Sequence, residues 1–110
     1  MRSESGNMTN ELGVDITTRE PGRTLSLRGE IDFGNVAQLR GALMELANEG
    51  LEPIVIDMAG VTFVDSTALS VLVQGKQRLA DAGREVSILN IQPRVLRTIE
   101  LAGVLDYLQA

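Results

Sequence analysis

PIVIDMAGVTFVDSTALSVLVQ, residues 53–74, is where the hydrophobic pattern changes from the period of a strand to that of a helix. Ile54-Val55-Ile56 is a continuous apolar run, the pattern of a strand buried on both faces. A short link through Gly60 follows, with Val61, Phe63 and Val64 as apolar anchors. Asp65-Ser66-Thr67 then offers three short polar side chains of the kind that open a helix. Leu69, Leu72 and Val73 recur beyond them at helical spacing. The stretch reads strand, link, helix, with hydroxyl groups displayed where the helix begins.

Upstream, Leu12, Val14 and Ile16 alternate as in a strand with one buried face. Glu20-Pro21-Gly22-Arg23 is a turn signal, and Leu25, Leu27 and Ile31 resume the alternation around Gly29. These two strands are expected to pair as an antiparallel hairpin. After Gly29-Glu30-Ile31-Asp32, a helix to about Asn48 carries the stripe Val36, Leu39, Leu43 and Leu46, with Gly50 just past its end. Downstream, the helix opened by Asp65-Ser66 runs to Asp81 and stops at Gly83, and Val86, Ile88 and Leu89 form another strand. Pro93 starts a third helix, with Val95, Leu96, Ile99 and Leu101 as its expected buried stripe. Val104–Leu108 reads as a short edge strand or a tail packed on the core. The expectation is a polar tail at residues 1–10 and a single α/β domain over residues 11–110. Its architecture is a mixed sheet of four to five strands, an opening antiparallel hairpin, right-handed crossovers and three or more helices.

Composition narrows the function classes. A chain of 110 residues supports one core that buries roughly two-thirds of the unfolded surface. Aromatic residues are 3% of the chain against 44% apolar residues in all, so that core must be aliphatic. Cysteine is absent, which removes disulfides, thiolate metal sites and thiol catalysis and fits a reducing cytoplasm. Histidine is absent too, and with it the usual general base and the commonest metal ligand. A net charge of −5 argues against nucleic acid or an anionic membrane as direct partner. No run approaches the ~20 apolar residues of a membrane span, and the N-terminus lacks the pattern of a signal peptide.

The residues best placed for chemistry are Asp65, Ser66 and Thr67. One reading makes them a helix cap that satisfies orphan N–H groups, at about 1 kcal/mol. Nucleophilic hydrolysis fails because Ser66 has no histidine to activate it, and Lys76 lies about three helical turns away. Asp32, Asp57 and Asp65 have no metal-motif spacing, and no Gly-rich phosphate loop is present. The residues therefore argue against an enzyme and imply no cofactor.

Phe63-Val64-Asp65-Ser66-Thr67-Ala68-Leu69, within Val55–Leu72, resembles the signature of STAS domains, the family of bacterial anti-sigma factor antagonists. In that family an Asp-Ser-Ser/Thr-Gly-Leu run follows the central strand. Gly29-Glu30-Ile31-Asp32 is similar to the family's Gly-Glu-Leu-Asp stretch on the partner surface, and Leu96–Leu105 resembles its closing helix and the turn after it. The likeness runs from about Leu12 to the C-terminus.

The resemblance implies that Ser66 is a phosphoacceptor and that Asp32, Asp65, Thr67 and Ala68 belong to the partner-binding surface. It implies an ATP-using anti-sigma factor serine kinase as partner, bound by the unphosphorylated chain so that a sigma factor is released. It also implies a PP2C-type phosphatase that resets the switch and a role in stress-responsive transcription. Ala68 departs from the pattern, standing where phosphorylated members usually carry Gly. A second reading of the same fold is a STAS subunit that is never phosphorylated, within a lipid-transport ATPase or a stress-signalling assembly. For Asp32 two roles stand side by side, docking and capping of the next helix.

Overall fold

In the computed structural model, which describes residues 13–19 and 22–109, the chain runs β1 (Gly13–Arg19), β2 (Gly22–Ile31), α1 (Val36–Ala47), β3 (Ile54–Val64), α2 (Ser66–Asp81), β4 (Val86–Leu89), α3 (Pro93–Leu101), α4 (Leu105–Gln109). The sheet order is β1-β2-β3-β4. β2, β3 and β4 run parallel, and β1 lies antiparallel on β2 with Gly13 opposite Arg28 and Arg19 opposite Gly22. The expected tail at residues 1–10, Leu12, and Glu20-Pro21 of the turn lie outside the described residues, as do the side chains of Val14 and Ile16.

Alternation places the core. On β2, Leu25, Leu27 and Ile31 are buried, while Arg28 and Glu30 between them are exposed. The α1 stripe Val36, Leu39, Leu43 and Leu46 packs onto that face together with Leu69, Leu72 and Leu79 of α2 and Ile54, Ile56 and Met58 of β3. All are aliphatic, as the scarcity of aromatic residues requires.

β3 differs from the expected short strand and link. It runs unbroken through Gly60 to Val64, with Val55 half-buried. Its register against β2 shifts twice, between Ser26 and Arg28 and between Gly29 and Glu30, each time inserting one extra residue on β3. These bulges explain why the alternation is hard to see. Buried residues fall at 54, 56 and 58, then at 61 and 64, so the period slips from two to three at each bulge. Gly60 belongs there because a Cβ would stand 2.6 Å from the Arg28 Cβ on the neighbouring strand. Gly29, opposite Val61, adopts φ +96°, a conformation that favours glycine.

The C-terminal region holds two further corrections. Leu101 is 81% exposed, because the buried face of α3 is the i, i+4 pair Val95 and Ile99, with Leu96 half-buried at its edge. The segment expected as an edge strand or tail is helix α4, whose Leu108 is fully buried. Lys76 of α2 fastens it: Nζ donates to the carbonyl oxygens of Tyr107 (2.7 Å) and Leu108 (3.0 Å). Burial strips water from that ammonium group and holds its pKa below the usual lysine value.

Arg84, just past the C-terminus of α2, performs a similar task. Its side chain is buried, and its guanidinium donates to the carbonyl oxygens of Leu46, at the end of α1, and Glu52, before β3. Arg84→Met keeps the bulk but removes the arginine donor from the Glu52 carbonyl and leaves the Leu46 carbonyl only the backbone N–H groups at the end of α1. Urea denaturation should show a loss of about 1–3 kcal/mol. A change within about 0.5 kcal/mol, the range of an ordinary surface substitution, would show that water replaces the guanidinium at no cost.

Candidate docking site around Asp65 and Ser66

β2 and β3 end side by side, with Ile31 opposite Val64, and the Asp65 N–H donates to the Ile31 carbonyl at 3.2 Å. The residue after each strand is an aspartate, so the parallel pairing itself brings Asp32 and Asp65 together. Neither carboxylate is left to water alone. Asp65 Oδ1 accepts from the Ala68 N–H (2.8 Å), which is the helix cap of α2. Asp65 Oδ2 accepts from the Phe33 N–H (3.0 Å), in the loop between β2 and α1. One carboxylate thus joins two helix-opening segments.

Asp32 behaves differently from a helix cap. Its Oδ1 accepts from the Gly34 N–H at 2.9 Å, closing a tight turn within the loop. The N-cap position of α1 is Asn35, and its side chain points backward. Asn35 Oδ1 accepts from the Asp32 N–H (3.0 Å), and Nδ2 donates to the Glu30 carbonyl (2.7 Å). The capping role considered for Asp32 is therefore corrected: its carboxylate shapes the loop and stays half-exposed.

On this frame Ser66 is the first residue of α2 and is exposed, with no hydrogen-bond partner for its hydroxyl among the described residues. Thr67 is half-buried. Ala68 is fully buried, so its methyl group offers nothing to a partner and packs into the core instead. Asp57, the third carboxylate of the sequence reading, is not part of the group. It lies farther back on β3 and accepts from Ala59 N–H and Asn90 Nδ2. Among the described residues no group of three His, Cys, Asp or Glu is placed to hold a metal ion. None of the described helices is long and apolar enough to cross a membrane.

Two residues here escaped the sequence reading. Phe33 stands 81% exposed beside the Asp65 contact, and Asn35 is buried at the heart of the loop. The signal for Asn35 was an Asx residue three places after an aspartate, just ahead of a helical stripe. The signal for Phe33 was an aromatic set between Asp32 and Gly34, where no periodic pattern buries it.

The double role of Asp65 gives a measurable consequence. Asp65→Ala removes the cap and the Phe33 tether together and should lower stability by about 1–2 kcal/mol. Asp65→Asn, which keeps one side-chain acceptor, should lose less. Hydrogen exchange at the Phe33 amide should quicken in both variants relative to the parent; unchanged exchange would mean that the tether does not hold the loop.

The model of the STAS domain family matches residues 14–109. A curated relative, the anti-sigma-B factor antagonist of Staphylococcus aureus (strain NCTC 8325 / PS 47), is 27% identical over 95 residues, which is 86% of this chain and 88% of the relative. Among solved structures, the anti-sigma factor antagonist from Mycobacterium paratuberculosis matches with a TM-score of 0.74 at 23% identity, over 91% of this chain and 85% of that one. The anti-sigma factor antagonist SpoIIAA in its unphosphorylated form matches with a TM-score of 0.67 at 26% identity, over 90% and 85%. The family match covers both strands that end at the aspartates and the helix that Ser66 opens, and on that evidence this chain is a member of the STAS domain family.

Proposed function

We propose that this chain is an anti-sigma factor antagonist that works by partner switching in the cytoplasm. Unphosphorylated, it docks on an ATP-using anti-sigma factor serine kinase and releases the sigma factor that the kinase held. Phosphorylation of Ser66 ends the contact, and a PP2C-type phosphatase restores it. The observation that carries this reading is the placement of Ser66: exposed, first in its helix, and set on a hydrogen-bonded frame between Asp65 and Asp32. The relatives named as anti-sigma factor antagonists support it.

Electrostatics explains how one modification reverses binding. A phosphoserine carries about −1.5 to −2 charges at neutral pH, and at a helix N-terminus this charge suits the macrodipole. The fold has no reason to change. The kinase, however, would meet that charge beside two carboxylates already committed to backbone N–H groups and unable to turn away. Burying it unpaired costs several kcal/mol. Asp32, Asp65, Thr67 and the exposed ring of Phe33 form the surface around it, and Ala68 supports them from below.

Calorimetry with the partner kinase tests the switch. Ser66→Ala should bind like the parent and accept no phosphate, while Ser66→Glu should bind at least about tenfold more weakly, or ~1.4 kcal/mol. Equal affinities for the two variants would remove the charge mechanism.

Docking at the loop is tested separately. Phe33→Ser and Asp32→Ala alter exposed or half-exposed groups, so their melting temperatures should stay within a few degrees of the parent. Each should weaken kinase binding, Phe33→Ser by about 1–2 kcal/mol if its ring fills a pocket of the partner. A drop in melting temperature with unchanged affinity would return both residues to a purely structural role.

A further inference from the structure

A cavity of about 830 Å³ opens between α1 and α2. Ser66 lies at the opening turn of α2, whereas this trough runs along the middle and end of that helix, so the two sites are separate. Its floor is aliphatic, formed by Leu43 and Val71, with Met44 46% exposed along one edge. At Gly75 the helices touch: a Cβ there would stand 2.4 Å from Leu43 Cδ1, so the floor is set by direct contact between α1 and α2. One end is walled by Tyr107 of α4. That ring is fixed, because its hydroxyl donates to Gln77 Oε1 (2.7 Å) and its carbonyl accepts from Lys76 Nζ.

The rim carries the information about charge. Arg40 of α1 and Arg78 of α2 both line the trough. Among the described residues neither guanidinium makes a hydrogen bond or an ion pair. Asp81, the acidic residue of the same rim, is instead engaged by Gln77 Nε2 at 2.9 Å. In a chain of net charge −5, the rim over this apolar floor thus carries two guanidinium groups that have no ion-pair partner among the described residues, against one carboxylate, Asp81.

We propose that this trough binds a free single-chain amphiphilic anion, an aliphatic tail ending in a carboxylate or a phosphate. The volume falls within the range of small-molecule sites, about 300–1,000 Å³. The tail lies on Leu43, Val71 and Met44, and the anionic head is held by the planar donor forks of the arginines, which match carboxylate and phosphate oxygens. From Val71 to Asp81 the helix rises about 15 Å, a length suited to an extended dodecyl chain.

The test titrates the full chain, followed by amide NMR, with dodecanoate and dodecyl phosphate below their micelle concentrations. Dodecyltrimethylammonium supplies the same tail with the opposite charge, and inorganic phosphate supplies the head alone. Saturable binding of the two anions is expected, with shifts along the facing sides of α1 and α2 and none at Ser66. The cation and inorganic phosphate should bind at least about tenfold more weakly. The double variant Arg40→Gln/Arg78→Gln changes only exposed side chains and should lose about tenfold in affinity for dodecyl phosphate. Met44→Glu, which sets a like charge on the edge, should weaken it independently. Equal binding of cation and anion, undiminished binding by the double variant, or no saturable binding would overturn the proposal. So would co-sedimentation with phosphatidylcholine vesicles containing phosphatidylglycerol, since the head group would then be read on a bilayer rather than on a free molecule.

Discussion

The Asp65 carboxylate accepts two backbone N–H groups that belong to different segments, one in the first turn of α2 and one in the loop before α1. The arrangement around Ser66 depends on this sharing. Two parallel strands that end at the same level, each followed by an aspartate, set like charges close together, which is unfavourable unless both are solvated by something fixed. Backbone N–H groups of Ala68, Phe33 and Gly34 supply that solvation. The consequence is a surface whose parts are fixed relative to one another before any partner arrives. In the proposed switch, less conformational freedom would then be lost on binding, and a rigid acidic frame could not relax around an added phosphate.

The shared carboxylate in turn depends on the two bulges in β3. Between the pairs Arg23–Ile54 and Ile31–Val64, ten residue steps of β3 run beside eight of β2. The bulges absorb the surplus, so that β3 ends level with its neighbour. A regular β3 of the same length would carry Asp65 beyond the end of β2 and away from the Phe33 N–H. Gly60 and Gly29 belong to this same adjustment, one by the close approach of its backbone to Arg28 and the other by its positive φ. Features that look like defects of the strand therefore place the site.

This is also where the sequence was hardest to read. The helical stripes of α1 and α2, the cap at Asp65 and the start of α3 at Pro93 were legible because a single local rule governs each. β3 was not, because two bulges convert an alternating pattern into one with gaps of three, so period two holds only to Met58 and the residues beyond it read as a link. Leu101 was misplaced because α3 is too short for its stripe to be distinguished from a neighbouring row. Of the site, Ser66 and Asp65 were visible as a motif. The turning of Asp32 onto Gly34 and the backward reach of Asn35 are local bonds that compete with an ordinary helix cap, whereas the tether of Phe33 to Asp65 joins residues 32 apart, which no local pattern encodes.

Ala68 shows how the core reaches the surface. Its methyl group is fully buried and its N–H is the donor that Asp65 holds. Alanine in place of glycine at this position favours the helix by about 1 kcal/mol through backbone entropy, and burying the methyl adds a contribution of similar size, about 0.8 kcal/mol. Both act on the first turn of α2, the turn that presents Ser66. The departure from the family's usual glycine is therefore absorbed beneath the surface: it firms the cap without altering the atoms that Ser66, Asp65 and Phe33 expose. A substitution inside the core is compatible with the proposed switch outside it because the Asp65 carboxylate links the two.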